Sequence, residues 1–301
     1  GIIDMTTLHS QHNQHLSLSD ETIQILQGVV SSYAGESMSH RPMHVSRCDS
    51  THGVWIVAFE DVKLVYKQLI THQAQAFSHA STFALQRTLY QYGIAAEPLY
   101  FDSHKGIWIE AYLPADEAML SQGDTNQKSS QRLTYGLTHA LVNLHQGRTF
   151  DDVDDTRGER VNEYIRRLDP FDHAEYLLAQ IKTPEAQHFA KTLDRLREEV
   201  QSTSDQNEPW VLCHNDLHVA HVRSAQRCID WEYAAIGPRY FDVAMCITIN
   251  QICDSSQHAF INAYAQLADT HQAYAQRQVA CYLRLCAIIN EIWEQVLHHK
   301  A

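Results

Sequence analysis

The chain has 301 residues, 44% of them hydrophobic and 20% charged, with a formal net charge of −13. That length can bury a substantial core in one large or two moderate domains, and the acidic balance excludes a general nucleic-acid binder, which needs a basic footprint for phosphate. No apolar run approaches the roughly 20 residues of a membrane span, and no charged-then-apolar secretory leader is evident, so a cytoplasmic protein is expected. The seven cysteines are an odd number in mostly apolar contexts without a Cys-x-x-Cys pair. Reduced, buried thiols are expected rather than a disulfide framework or a structural zinc site.

In chain order, residues 1–18, rich in His, Gln and Ser, are expected to be flexible. Ser19 is a predicted N-cap with Asp20 and Glu21 in the first turn, and Ile23, Leu26, Val30 and Tyr33 then recur at helical spacing. Three strands follow, His44–Arg47, Val54–Phe59 and Lys63–Leu69, with turn residues between them. The loop from Cys48 to Gly53 carries one glycine and the hydroxyls of Ser50 and Thr51. Its residues alone fit a hairpin turn as well as a phosphate-covering loop. On the third strand, period-two alternation puts Lys63, Val65 and Lys67 on one face, so either lysine is a candidate for a buried role. Residues 77–92 read as a helix closed by Gly93, and 94–102 and 106–113 as two further strands ending at Pro114.

Beyond a polar linker, Leu133, Leu137, Leu141 and Leu144 mark a helix ending at Leu144-His145. The acidic run from Asp151 to Asp155 reads as a solvated face, and helices are expected over 161–168, 173–181 and 185–201. Trp210–Cys213 is a buried strand, His214–Leu217 a polar loop, and Cys228-Ile229 a second short apolar piece before Asp230. A strand, loop, strand unit folded on itself would bring Asp216 and Asp230 to one cleft. The rest is helical, with Val279, Tyr282, Cys286, Ile289, Trp293 and Val296 forming a stripe that is first of all a packing surface.

Paired acids suit phosphoryl transfer, in which one orients a hydroxyl and takes its proton while the other holds a metal ion on the nucleotide phosphates. Three segments in order, His214-Asn215-Asp216-Leu217, Ile229-Asp230-Trp231-Glu232-Tyr233-Ala234 and Phe241-Asp242-Val243-Ala244, resemble the signature of the choline kinase and aminoglycoside phosphotransferase superfamily. The resemblance implies an α+β, bilobal protein-kinase-like fold. Its N-terminal lobe, residues 1–113, would hold a five-stranded antiparallel sheet, and its mainly helical C-terminal lobe, residues 114–301, the catalytic and acceptor groups.

It also implies ATP as phosphoryl donor, Mg²⁺ as metal and a small alcohol as acceptor, with oligomeric state left open. Asp216 corresponds to the catalytic base and Asp230 to the metal-binding acid. His214 and Asp242 correspond to supports of the loop, and Lys67 to the phosphate-binding lysine. Ser50 and Thr51 would cover phosphate, and the backbone at Glu110 and Tyr112 would meet the adenine edge. Trp231, Glu232, Tyr282, Glu291 and Trp293 fall in the region that walls the acceptor pocket, where aromatic faces and carboxylates favour a cation. The second segment is most similar to bacterial choline and thiamine kinases, which places those alcohols ahead of aminoglycosides.

Two positions depart from the pattern. His221 stands five residues after the base, where the family has a metal-binding Asn; imidazole is a poor Mg²⁺ ligand but acceptable to Mn²⁺. The helix over 77–92 carries Ser81, Thr82 and Gln86 where a glutamate would pair with the strand lysine. Those departures keep a catalytically weak nucleotide-binding protein in view. A third reading takes 214–218 as extended, so that His214, Asp216 and His218 share a face as a two-His, one-carboxylate metal site.

Overall fold

The structure, a computed structural model, describes residues 18–35, 42, 44–48, 53–69, 78–116, 127–146 and 165–299. They fall into two units: one holds the N-terminal part as far as Asp116 together with Arg223–Glu232, the other Ile165–Val222, Tyr233 onward and the helix that begins at Gln127.

In the first unit, helix α1 (Asp20–Ala34) starts where the Ser19 hydroxyl accepts the Thr22 N–H at 3.2 Å. Substituting Ser19→Ala is expected to cost about 1 kcal/mol in a urea denaturation series, the usual worth of a side-chain cap. An unchanged midpoint would mean that the capping bond adds no net stability. The apolar stripe of α1, Leu26, Val29 and Val30, packs on Val57, Phe59, Leu64, Tyr66, Ile107 and Ile109 of the sheet.

That sheet contains β1 (His44–Arg47), β2 (Val54–Ala58), β3 (Lys63–Gln68), β4 (Pro98–Asp102) and β5 (Ile107–Ala111), in the order β1-β2-β3-β5-β4 and antiparallel throughout. Alternation decides what each face carries. Leu64 and Tyr66 of β3 point to the α1 core, which turns Val65 and Lys67 to the other face. There helix α2 (His79–Gln91) packs beside β4, and Phe83 meets the Trp108 ring edge-on with centroids 5.1 Å apart. The strand expected from residue 94 starts only at Pro98. Gly93 has φ 81°, Ile94 N–H closes back on Leu89 O, and Ala95 bridges to Cys228 instead of joining the sheet.

The second unit is helical: α3 (Gln127–Leu144), α4 (Pro170–Leu178), α5 (Glu185–Thr203), α6 (Arg239–Ile249), α7 (Asp254–Ala268) and α8 (Gln272–His299). Helix α8 is its axis, packing against α4, α5, α6 and α7 and burying Val279, Tyr282, Cys286, Ile289 and Val296. The expected stripe included Trp293, which is 49% exposed; Ile292 lies in the stripe instead, three residues after Ile289 and four before Val296.

One two-stranded ribbon completes this unit, β6 (Val211–Cys213) against β7 (Ala235–Gly237). The expected pairing of 210–213 with 228–229 is therefore not made. Residues 228–229 join the first unit, where the Cys228 N–H donates to Ile94 O at 2.9 Å. All seven cysteines are free. Among the described residues, no helix is long and apolar enough to cross a membrane.

Candidate active site

Within the first unit, the face of the sheet opposite α1 carries a charged cluster. Lys67 Nζ donates to Asp230 Oδ1 at 2.8 Å and lies 3.3 Å from Glu110 Oε1, above the Trp108 ring. Burial by itself would depress the Lys67 ammonium, but Asp230 and Glu110 outweigh it and hold the pKa above its ordinary value. Lys67 is thus a fixed cation. Lys63 is placed differently, over the Tyr112 ring at 5.4 Å, so the two lysines left open by alternation take separate roles.

Glu110, expected at a backbone contact with adenine, is a β5 residue only 2% exposed, and its side chain turns to Lys67. Tyr112 follows the strand, and its N–H is taken by Lys63 O at 3.2 Å. Asp230 has φ 63°, a left-handed backbone that costs a non-glycine residue about 1 kcal/mol or more and persists only where the surroundings hold it. The next residue supplies an anchor: Trp231 is buried, and its indole N–H donates to Cys228 O at 3.0 Å. Glu232 is exposed. A second cation, Arg223, is 3% exposed, and its Nε and Nη1 have no hydrogen-bond partner among the described residues; burial lowers its pKa, while Tyr112, Asp230, Cys48 and Glu110 act in the opposite sense.

The loop bearing Asp216 lies in the second unit, directly after β6, and is tied to helix α6 at two points one after the other. Asp242, fully buried, accepts the His214 N–H at 3.0 Å and the Asn215 N–H at 2.8 Å. Its Oδ2 is also 2.7 Å from His145 Nε2, and His145 Nδ1 is 2.7 Å from the Tyr264 hydroxyl. Burial opposes the charge of Asp242, yet the bonds from His145 and the Asn215 N–H, with His214 nearby, keep its carboxyl below the usual range. Asn250, just past α6, accepts the Val219 N–H at 2.8 Å and donates to Leu217 O at 2.9 Å.

Inside the loop, His214 Nδ1 accepts the Asp216 N–H at 3.2 Å. His221 sits in a one-turn 3₁₀ segment, Val219–His221, and its Nδ1 is 2.7 Å from Asp216 O, the distance of a donated N–H. With Nδ1 so engaged, Nε2 is the ring atom that faces any metal role. Asn215 has φ 64°, which breaks the extended run that a shared face for His214, Asp216 and His218 requires. Among the described residues the three-ligand cluster is instead His145, Cys213 and Asp242, whose imidazole and carboxylate are already bonded to each other.

Of the remaining expected residues, Tyr282 is buried against Phe171 and Phe241, while Glu291 and Trp293 are exposed on α8. Tyr282 lines a cavity of about 270 Å³ with Phe171, Trp210, Tyr240 and Tyr274. Arg197, which covers the Phe171 ring, lines it too, together with Asp169, Asp205, Glu208 and Arg239. Ser50, Thr51 and the acidic run 151–155 lie outside the described residues.

Sequence reasoning missed Trp108, Arg223 and Asn250, and named Gln86 only as one of the residues standing where a glutamate was expected. Each is an ordinary polar or aromatic residue in its own segment, and its role depends on a partner many positions away, such as Leu217 for Asn250. Only the alternation on β5 offered a signal, since Trp108 and Glu110 share one parity.

A five-stranded antiparallel sheet carrying a buried lysine–acid pair, together with a helical unit that suspends a His-Asn-Asp loop from a buried aspartate, defines a kinase-like α+β protein. Residues 81–279, well over half of the chain, match the phosphotransferase enzyme family, and the chain belongs to it. The choline kinase LicA of Streptococcus pneumoniae superposes with a TM-score of 0.63 at 14% identity, over 93% of this chain and 92% of that one. A choline/ethanolamine kinase family protein of Mesorhizobium loti gives 0.61 at 16% identity, over 93% and 86%. The amicoumacin kinase hAmiN, solved with AMP-PNP, Ca²⁺ and Ami, gives 0.57 at 13%, over 92% and 89%. At such identities the likeness is one of fold. No curated protein matches the chain by sequence.

Proposed function

We propose that this phosphotransferase is an ATP-dependent kinase of a small hydroxylated molecule, with a cationic alcohol of the choline or thiamine kind as the favoured acceptor. The observation that carries the reading is the 2.8 Å contact of Lys67 with Asp230, which puts a fixed cation beside the acid at the metal-binding position of the motif. In this reading the acceptor hydroxyl attacks the γ-phosphorus, its proton passes to the Asp216 carboxylate, and the bond to the bridging oxygen breaks to release ADP. Lys67 meets the α and β phosphates, with Ser50 and Thr51 covering them and the backbone at Tyr112 near the base.

Asp230 would supply the hard oxygen that Mg²⁺ prefers, and His221 would offer the imidazole that suits Mn²⁺ better. A bound divalent ion would neutralise phosphate charge. The motif resemblance assigns Glu232, whose charge is felt at Lys67, to the acceptor side with Trp231. The motif resemblance puts Tyr282, Glu291 and Trp293 there too. The choline kinases among the fold neighbours support the cationic alcohol, and the amicoumacin kinase keeps an antibiotic acceptor open.

The test is ATP consumption over choline, ethanolamine, thiamine, aminoglycosides and sugar alcohols, with Mg²⁺ and Mn²⁺ in separate arms. Turnover on an amino-alcohol is expected. A second reading, nucleotide binding with weak turnover, is favoured by His221. Saturable ATP binding without consumption on any acceptor would select it, and absence of both would reject the kinase.

A further inference from the structure

Helix α2 offers no carboxylate to the strand lysine, yet Lys67 is not short of acids. Its second one, Glu110, comes from the neighbouring strand of the same sheet. In the β3–β5 register Lys67 faces Trp108 and Val65 faces Glu110, so Lys67 and Glu110 are diagonal neighbours on one face. The diagonal spacing is within reach of long side chains, and here it closes to 3.3 Å. Buried carboxylates are retained when their oxygens are bonded. Both oxygens of Glu110 are: Oε1 accepts the Trp108 indole N–H at 2.9 Å and Oε2 the Gln86 amide at 3.4 Å. Gln86 is itself fixed, donating to Ala96 O at 3.0 Å.

We propose that Glu110 is the positioning residue for Lys67, doing from within the sheet what the motif resemblance assigns to a helix glutamate. Two consequences follow from the geometry. The ammonium is aimed by two paired strands, so its orientation survives displacement of α2, whereas a helix-borne acid makes the same ion pair a switch. The helix contributes an amide brace in place of a charge. The pairing itself needs no ligand, but its value for phosphate binding rests on the kinase reading above.

The experiment compares the whole chain with Glu110→Gln, which keeps the shape and removes the charge, and Glu110→Asp, which keeps the charge. The first arm needs no nucleotide. Acylation of Lys67 by an amine-reactive ester, followed by peptide mass spectrometry, is expected to run several-fold faster in Glu110→Gln, because the lysine loses one of the two carboxylates that hold it against the sheet and becomes more accessible to reagent. Glu110→Asp should stay close to wild type.

In the second arm, calorimetry with ATP and Mg²⁺ and then with adenosine should show ATP binding weakened about tenfold in Glu110→Gln and adenosine unaffected, since only the phosphates meet the lysine. A structural defect would weaken both alike. Equal labelling of wild type and Glu110→Gln, equal loss for ATP and adenosine, or a Glu110→Asp protein as impaired as Glu110→Gln would each overturn the proposal. Wild-type protein that binds no nucleotide would reject the kinase reading, and the labelling arm would still decide the pairing.

Discussion

Asp216→Asn is expected to lower turnover by about 10² to 10⁴-fold, the usual worth of a general base, while ATP affinity changes little. The reasoning is positional. Asp216 sits in a loop whose backbone is committed elsewhere: its N–H goes to His214, its carbonyl to His221, and the residues on either side are tied to Asp242 and Asn250. Replacing one carboxylate oxygen by an amide leaves those bonds in place, so the substitution removes a proton acceptor without releasing the loop. Steady-state ATP consumption beside calorimetric ATP binding separates the two quantities. Turnover retained within a few-fold would move the base to another residue.

For Asp242→Asn the expected loss is one of stability, about 3–5 kcal/mol, because a buried charge partner is removed from groups that stay buried. The amide would set an N–H donor against the N–H groups of His214 and Asn215 or against His145. The folded-state carboxyl lies below its unfolded value, despite burial, through the bonds from His145 and the loop N–H groups. Its contribution is therefore fully present above the unfolded carboxylate pKa of about 4 and is lost as pH falls through the lower folded value. Urea denaturation of both proteins should give a gap that is constant from neutral to mildly acidic pH and narrows below about pH 4. A gap that stays constant into strong acid, or one under about 1 kcal/mol, would contradict this account.

How much of this was legible in the sequence depended on whether a signal was local. The cap at Ser19, the alternation of β3 and the three motif segments are each contained in a few consecutive residues, and each was read. The sheet order was not, since β5 lying between β3 and β4 is a long-range pairing that no window displays. The side-chain pairing of Glu110 with Lys67 was not read for the same reason: its parity on β5 was readable, but not which residue of β3 stood opposite. The pairing expected between 210–213 and 228–229 went wrong because two short apolar pieces fit equally well on several partners. Register is set by the faces they bury, and β7 and residue 95 supplied those faces. Trp293 was misplaced by a single helical step, which is all that separates the inner row of α8 from its flank.

Besides the Tyr233 carbonyl, which accepts the Asn215 side-chain amide at 3.2 Å, the loop around Asp216 is held from α6 and its C-terminal cap by Asp242 near the start and Asn250 at the end. About two helical turns lie between them, so a rod rather than a hinge sets the spacing of the two anchor points. The Asp216 carboxylate is consequently carried on a loop whose two α6 anchor points share one rod, and a shift of that rod along its own axis moves both anchor points together.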